Sequence, residues 1–386
     1  MNRVSICIAS PHVIRRDKSR LYHYKKKQLK HKILLIALSL LVSCATKMPE
    51  ITYEPVPYDI GIPMFPDSLN IPPDNPMTVD GVRLGRYLFY DGRLSGDPKR
   101  PMSCATCHKQ EHAFECGTEI FEDGRPVGNS GQKTPHVMLP FINLVWNNSG
   151  YFWNGYVQEG NIESTVPMAI KAPHELDGDI NNTVKLIKSD ARYREMFYRA
   201  FGTTEINIDL ISKAIAQFVR SLVSFNSKFD RFMNGEVQLT KQEMRGLMLF
   251  TSEEADCFHC HGSPALPLWT TNMFMNNAKD TDFEGEKDRY FVTGNPRDRG
   301  KYRVPTLRNI EFTGPYMHDG RFKTLDEVLE FYNNGLKRSP YIDPLSINAN
   351  HGGSHLSDSD LRAVKAFLLT LSDTTFINDA RYSNPW

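Results

Sequence analysis

Apolar and polar positions along the chain recur with a helical rather than a strand period. Between residues 208 and 223, Ile208, Leu210, Ile211, Ala214, Ile215, Phe218, Val219, Leu222 and Val223 return mostly at three- and four-residue steps. They therefore form one stripe of a long amphipathic helix that must pack on a core. Three further helix starts carry a hydroxyl followed three residues later by an acid: Thr240 with Glu243, Thr324 with Glu327 and Ser357 with Asp360. In that pattern the two side chains satisfy backbone N–H groups of the first turn. No comparable alternating run supports an extended sheet, so the pattern predicts a mainly α protein. Asn226-Ser227-Lys228-Phe229-Asp230 reads as a linker with a domain boundary near residue 230, and the Gly/Asn/Asp-rich stretch 276–300 reads as irregular loop.

A different pattern opens the chain. Lys25-Lys26-Lys27 and the basic residues up to Lys32 precede the apolar run 33–42, which is of export-signal length and too short to span a bilayer. The run ends in Leu41-Val42-Ser43-Cys44, which resembles a bacterial lipobox, so residues 1–43 are expected to be a lipoprotein signal peptide and Cys44 the lipidated residue. A plain signal peptide or short anchor is the alternative. Residues 44–76, rich in proline, are expected to form an extended tether from the membrane, placing the protein on the periplasmic side or in the cell envelope.

Charge sharpens this division. The 386 residues carry a formal net charge of +1, but residues 1–43 hold 10 Lys and Arg against the single acid Asp17, leaving 36 basic and 44 acidic residues downstream. A body with an acidic surplus argues against nucleic acid as a partner, because phosphate neutralisation needs Lys and Arg in excess. The 40% hydrophobic and 24% charged composition suits a folded chain with more than one core.

Two of the seven cysteines, Cys7 and Cys44, lie in the signal region, and Cys116 stands apart. The other four form Cys104-Ala105-Thr106-Cys107-His108 and Cys257-Phe258-His259-Cys260-His261, each a c-type haem attachment signature. Two intervening residues set both thiols against the vinyl groups of one porphyrin, and the next histidine reaches the iron. A four-cysteine zinc site would bring its halves within about 15–20 residues and need no histidine after each. Two covalently bound haem c groups are therefore predicted, held by Cys104, Cys107, Cys257 and Cys260 with His108 and His261 as axial ligands. The expected architecture is two tandem cytochrome c-like haem domains with long irregular loops, residues 77–229 and 230–386.

In this order, Leu84-Gly85-Arg86-Tyr87-Leu88-Phe89, the first haem motif, Phe152-Trp153-Asn154-Gly155, the second motif, Val304-Pro305-Thr306-Leu307-Arg308-Asn309 and Pro315-Tyr316-Met317-His318-Asp319-Gly320 make the chain resemble the bacterial diheme cytochrome c peroxidases and their MauG-like subgroup. The resemblance implies that the first haem reduces hydrogen peroxide to water while the second receives single electrons from a small cytochrome c or cupredoxin. It further implies Trp153 as the aromatic between the haems and Glu175 as the distal acid/base. The family's distal-histidine region corresponds to residues 128–135, which hold no histidine, so the first iron is expected to keep an open position; His112 and His136 are the alternatives. For the second iron the resemblance points to Tyr332 rather than Met317 or His318. Leu325, Val328, Leu329 and Tyr332 share one face of the helix that Thr324 caps, although a hydrogen-bonded core tyrosine has the same pattern. The resemblance implies calcium near Thr313 and Pro315, but Lys133 stands where the family's asparagine ligand would be, and a cation there repels Ca2+. It also implies a homodimer. Beside peroxide reduction stand two other readings, a MauG-like oxidase acting on a protein or small organic substrate and a non-catalytic electron carrier.

Overall fold

The computed structural model describes residues 53–61, 69–117, 124–157, 161–266 and 268–386. The expected signal peptide, Cys44 and residues 44–52 and 62–68 of the expected tether lie outside the described residues. The described part is mainly α, and its apolar side chains gather into two principal cores.

The first core is built from α1 (Val79–Phe89), α2 (Cys104–Cys107), α3 (Ile162–Lys171), α4 (Ile180–Ser189), α5 (Ala191–Phe201) and α6 (Ile208–Arg220). The predicted stripe of α6 is its buried face, with Ile211, Ala214, Ile215 and Phe218 all inside. Removing such side chains from water contributes roughly 1.5–3 kcal/mol for each large one. The second core is built from α7 (Lys228–Met233), α8 (Lys241–Phe250), α9 (Phe258–His261), α11 (Leu325–Asn334) and α12 (Asp358–Leu369); α10 (Arg289–Thr293) lies outside it, and α13 (Thr374–Ile377) sends Phe376 back into the first core, where Tyr382 joins it. Thr240 and Thr324 form full reciprocal caps with Glu243 and Glu327, whereas the Ser357 hydroxyl accepts from the Asp360 N–H without a return bond to its own. Two short strands, β1 (Phe274–Met275) and β2 (Tyr302–Arg303), pair antiparallel with Phe274 opposite Arg303.

The two cores use the same kind of helix crossing. In α1, Gly85 lies so close to α6 that a Cβ would fall 1.9 Å from the Ala214 carbonyl oxygen and 2.9 Å from the Phe218 Cβ. In α8, Gly246 meets α12 in the same way, 1.9 Å from the Ala363 oxygen and 2.8 Å from the Phe367 Cβ. Four residues after each glycine a phenylalanine meets its partner ring: Phe89 with Phe218 and Phe250 with Phe367, both at 5.2 Å and 60°. Each crossing needs a side chain absent at one position so that backbones can touch.

Two expectations change. Residues 226–230 are not a loose linker: Ser227 caps α7, Phe229 is buried in the second core, and Asp230 takes a bidentate pair from buried Arg308 at 2.7 and 2.9 Å. Just before them, Ser224 donates to Asp373 at 2.9 Å and accepts from Asn309 at 3.0 Å. Polar side chains that read as loop are here spent on satisfying one another in a buried seam. Residues 69–76 likewise are not free tether, because Asn75 is buried and donates to Glu163 at 2.7 Å while Arg220 donates to the Asn70 carbonyl at 2.9 Å. Among the described residues no helix is long and apolar enough to cross a membrane.

Candidate active site

Ser103 opens α2, where its backbone N–H donates to the Thr106 hydroxyl at 3.0 Å, and the single turn brings Cys104 and Cys107 to one side. The His108 Nδ1 lies 2.6 Å from the Phe114 carbonyl, which fixes Nδ1 as the protonated nitrogen and leaves Nε2 as the ligand atom. Phe141 stacks on the ring at 3.8 Å. Burial pushes His108 down to about 4, so the imidazole is neutral and able to bind a metal.

Cys104, Cys107 and His108 form part of the wall of a cavity that also presents Trp153, Glu175 and Arg303 and encloses about 1460 Å³ of empty space, its open mouth included. Apolar walls push the Glu175 carboxyl up to about 7, and its charge in turn adds to the burial that raises both thiols. Among the described residues no side chain hydrogen-bonds that carboxyl, and the His174 Nε2 lies 4.0 Å from its Oε1. His136 and His174 also line the cavity, but the His136 ring packs edge-on to Tyr302 and His318, each at 5.5 Å. His112 instead faces the Phe312 carbonyl at 3.3 Å.

Whether these residues fit a haem can be judged from Arg303. It is 7% exposed, forms no ion pair among the described residues, and its Nε has no hydrogen-bond partner. Desolvation alone pulls it down to about 10. A buried unpaired cation in the wall beside two thiols and a neutral histidine suits a porphyrin, which brings carboxylate side chains. The residues fit.

Trp153 is buried and its Nε1–H donates to the Val137 carbonyl at 2.9 Å. Its own carbonyl accepts the Arg303 N–H at 2.7 Å, and its ring lies 6.3 Å from His318. The His318 ring stacks on Tyr302 at 3.7 Å, with Nε2 3.6 Å from the Glu286 carboxylate. Trp153 thus joins the wall of the first cavity to the residue next to Met317.

In the second motif the His261 N–H donates to the Cys257 carbonyl at 3.1 Å, and burial pushes the imidazole down to about 4. Tyr332 of α11 has its hydroxyl pushed above the ordinary phenol range by burial and, less strongly, by the charges of Cys260 and Cys257, which places it with those thiols. The Asn277 Nδ2 is 3.3 Å from the Tyr332 hydroxyl and 3.4 Å from the Met317 sulfur. Thr313 is buried with its hydroxyl turned to the Ile310 carbonyl, and Pro315 packs over Gly124. Sequence reasoning missed Arg303 and Asn277. Arg303 stands immediately before the Val304-Pro305-Thr306 segment, and that position was the available signal; Asn277 carried none.

Residues 79–238 match the di-haem cytochrome c peroxidase family profile. The chain is similar to the cytochrome-c peroxidase IdrP1 of Denitromonas iodatirespirans, with 33% identity over 299 residues, 70% of this chain and 77% of that protein. It is also similar to the methylamine utilization protein MauG of Methylorubrum extorquens, 31% identical over 310 residues, 79% of this chain and 82% of the relative. A solved MauG-like protein associated with microbial copper homeostasis superposes with a TM-score of 0.75 at 32% identity, covering 85% of this chain and 99% of that one. The chain belongs to the di-haem cytochrome c peroxidase family. It is accordingly an oxidoreductase of the peroxidase class with cytochrome c-like haem domains and two covalently bound haem c groups.

Proposed function

We propose that residues 77–229 hold the peroxidatic haem through Cys104, Cys107 and His108, and that residues 230–386 hold the electron-transfer haem through Cys257, Cys260, His261 and Tyr332. When bound, the two haems supply the iron that receives peroxide and the store for the two electrons its reduction consumes, H2O2 + 2 e− + 2 H+ → 2 H2O. The observation that carries this reading is Glu175, a carboxyl held near 7 in the same cavity as the first motif. A group with that proton affinity takes a proton from one peroxide oxygen and returns it to the departing one. The apolar walls of the cavity desolvate the carboxyl that makes that transfer. Trp153 gives electrons a short aromatic route, and a small cytochrome c or cupredoxin delivers them one at a time.

Export, lipid attachment at Cys44, homodimer formation and a calcium ion at Thr313 and Pro315 belong to the same proposal, supported by the pattern of residues 1–44 and by the family resemblance. The MauG-like alternative, oxidation of a partner protein or small organic molecule, is favoured by Tyr332, since a phenolate ligand stabilises ferric and higher-valent iron.

Steady-state peroxide turnover by the holoenzyme with a reduced small cytochrome c tests the primary reading. Turnover without prior one-electron reduction is expected. No turnover in either condition overturns the peroxidase assignment, and turnover only after reduction overturns the open first site.

A further inference from the structure

Tyr332 and Met317 come from different segments, one from α11 and the other from the turn before Asp319, yet both ligand atoms lie against one amide. The Asn277 Nδ2 is 3.4 Å from the Met317 sulfur and 3.3 Å from the Tyr332 hydroxyl oxygen. A thioether can only accept, so the amide atom facing it must be the NH2 group, and the orientation is thereby fixed. The Tyr332 oxygen is then an acceptor as well, with one N–H available for each neighbour.

The amide is held from behind. Asn277 follows β1, and the buried Asn276 side chain accepts the Ala278 N–H at 2.9 Å and donates to the Arg299 carbonyl at 3.2 Å. Ala278 sits at φ 60°, and its carbonyl takes the Lys337 N–H at 2.8 Å. Met317 is also backbone-constrained, at φ 69°. The donor is therefore rigid, and both acceptors are brought to it.

We propose that Asn277 is a positioning residue that decides which of these two side chains ligates the second haem, holding Tyr332 on the iron and Met317 in reserve. The inference rests on the reading that Tyr332 is the axial ligand. A hydrogen bond to an oxygen carrying negative charge is worth about twice one to a neutral acceptor, and sulfur is a weak acceptor. Removing the donor therefore weakens Tyr332 far more than Met317, and the thioether takes its place.

The test compares Asn277→Leu, similar in shape but without a donor, with Tyr332→Phe, Met317→Leu and the Asn277→Leu/Met317→Leu double variant, all as holoenzyme with two haems confirmed by pyridine haemochrome. Asn277→Leu is expected to replace the tyrosinate charge-transfer band by a thioether-to-iron band and to move the second haem's ferric/ferrous equilibrium at least tenfold toward ferrous, about 59 mV for one electron. In the double variant that band is expected to vanish. An unchanged spectrum and potential in Asn277→Leu overturns the proposal while leaving Tyr332 as ligand intact. A second haem unaffected by Tyr332→Phe overturns the underlying reading instead. Should Asn277→Leu not fold, the native protein still decides: resonance Raman modes of the bound phenolate are expected to shift on transfer to deuterated buffer, and their insensitivity removes the hydrogen bond.

Discussion

The backbone N–H of Asn129 donates to the carbonyl of Glu175 at 2.7 Å. Beside that bond the Ser130 hydroxyl donates to the Pro173 carbonyl at 2.7 Å, and Gly128 lies so close that a Cβ would sit 2.5 Å from the Glu175 nitrogen. The stretch where the resemblance expects a distal histidine is therefore used to clamp the backbone of the acid. Clamped and desolvated, the carboxyl stays near 7. Glu175→Gln should lower peroxide turnover by about 10²–10⁴-fold with both haems retained. Turnover in the native protein should rise with pH through about 7, as Glu175 loses its proton, and the variant should lack that limb. Steady-state rates between pH 5 and 9 check both.

The same carboxyl sets a stability trend. Its pKa is raised in the folded state, so the folded protein binds more protons than the unfolded one between the ordinary carboxyl value and about 7. Stability from this group is present below that window and is lost as pH rises through it. Glu175→Gln should gain on the native protein across the window, and denaturant midpoints at pH 4.5 and pH 8 would contradict this if their difference were equal in the two proteins.

The axial position is tested by substitution. Tyr332→Phe should change the visible and paramagnetic resonance spectra of the second haem, whereas Met317→Leu alone should leave them as they are. The opposite result assigns the ligand to Met317.

Much of this was legible in the chain because the chemistry is local. Cys-x-x-Cys-His fits within one helical turn, as do the caps at Thr240 and Thr324, and the stripe from Ile208 needs only helical periodicity. The cavity needs more, since Arg303 and Glu175 are far apart in sequence and share a wall only after β2 has packed beside the Trp153 turn. Asn277 is one of many asparagines in a segment that reads as loop, and nothing short of the fold brings it to Tyr332. The apparent linker at 226–230 misled for a related reason: Ser, Asn and Asp cap and pair in buried seams as readily as they form turns.

The helix crossing found in both cores gives a structural prediction. Gly246→Ala must force α8 off the Ala363 carbonyl, since its Cβ would stand 1.9 Å from that oxygen. Alanine's better helix propensity, worth about 1 kcal/mol, is too small to offset backbone overlap. A net loss of about 1–3 kcal/mol is expected, as for other overpacked interiors. Denaturant unfolding of the holoprotein measures it, and a variant as stable as the native chain would show that the crossing is looser than described.

Trp153 offers the most direct check on the link between the two haem sites. Its ring is buried beside Tyr302 and His318, its Nε1–H is spent on the Val137 carbonyl, and its own carbonyl holds Arg303. Phenylalanine at this position keeps an apolar ring and the backbone bond to Arg303 but drops the Nε1 donor and leaves the Val137 carbonyl unsatisfied, at a cost of about 1–3 kcal/mol. Haem content and small-ligand binding at the first site should persist, because His108 and Glu175 are untouched. Electron transfer between the haems should slow at least tenfold, read by stopped-flow as delayed oxidation of the second haem after peroxide is mixed with the reduced enzyme. Equal rates in Trp153→Phe and the native protein would mean that electrons cross by another path, and the nearest alternative in the structure is the stacked pair Tyr302 and His318.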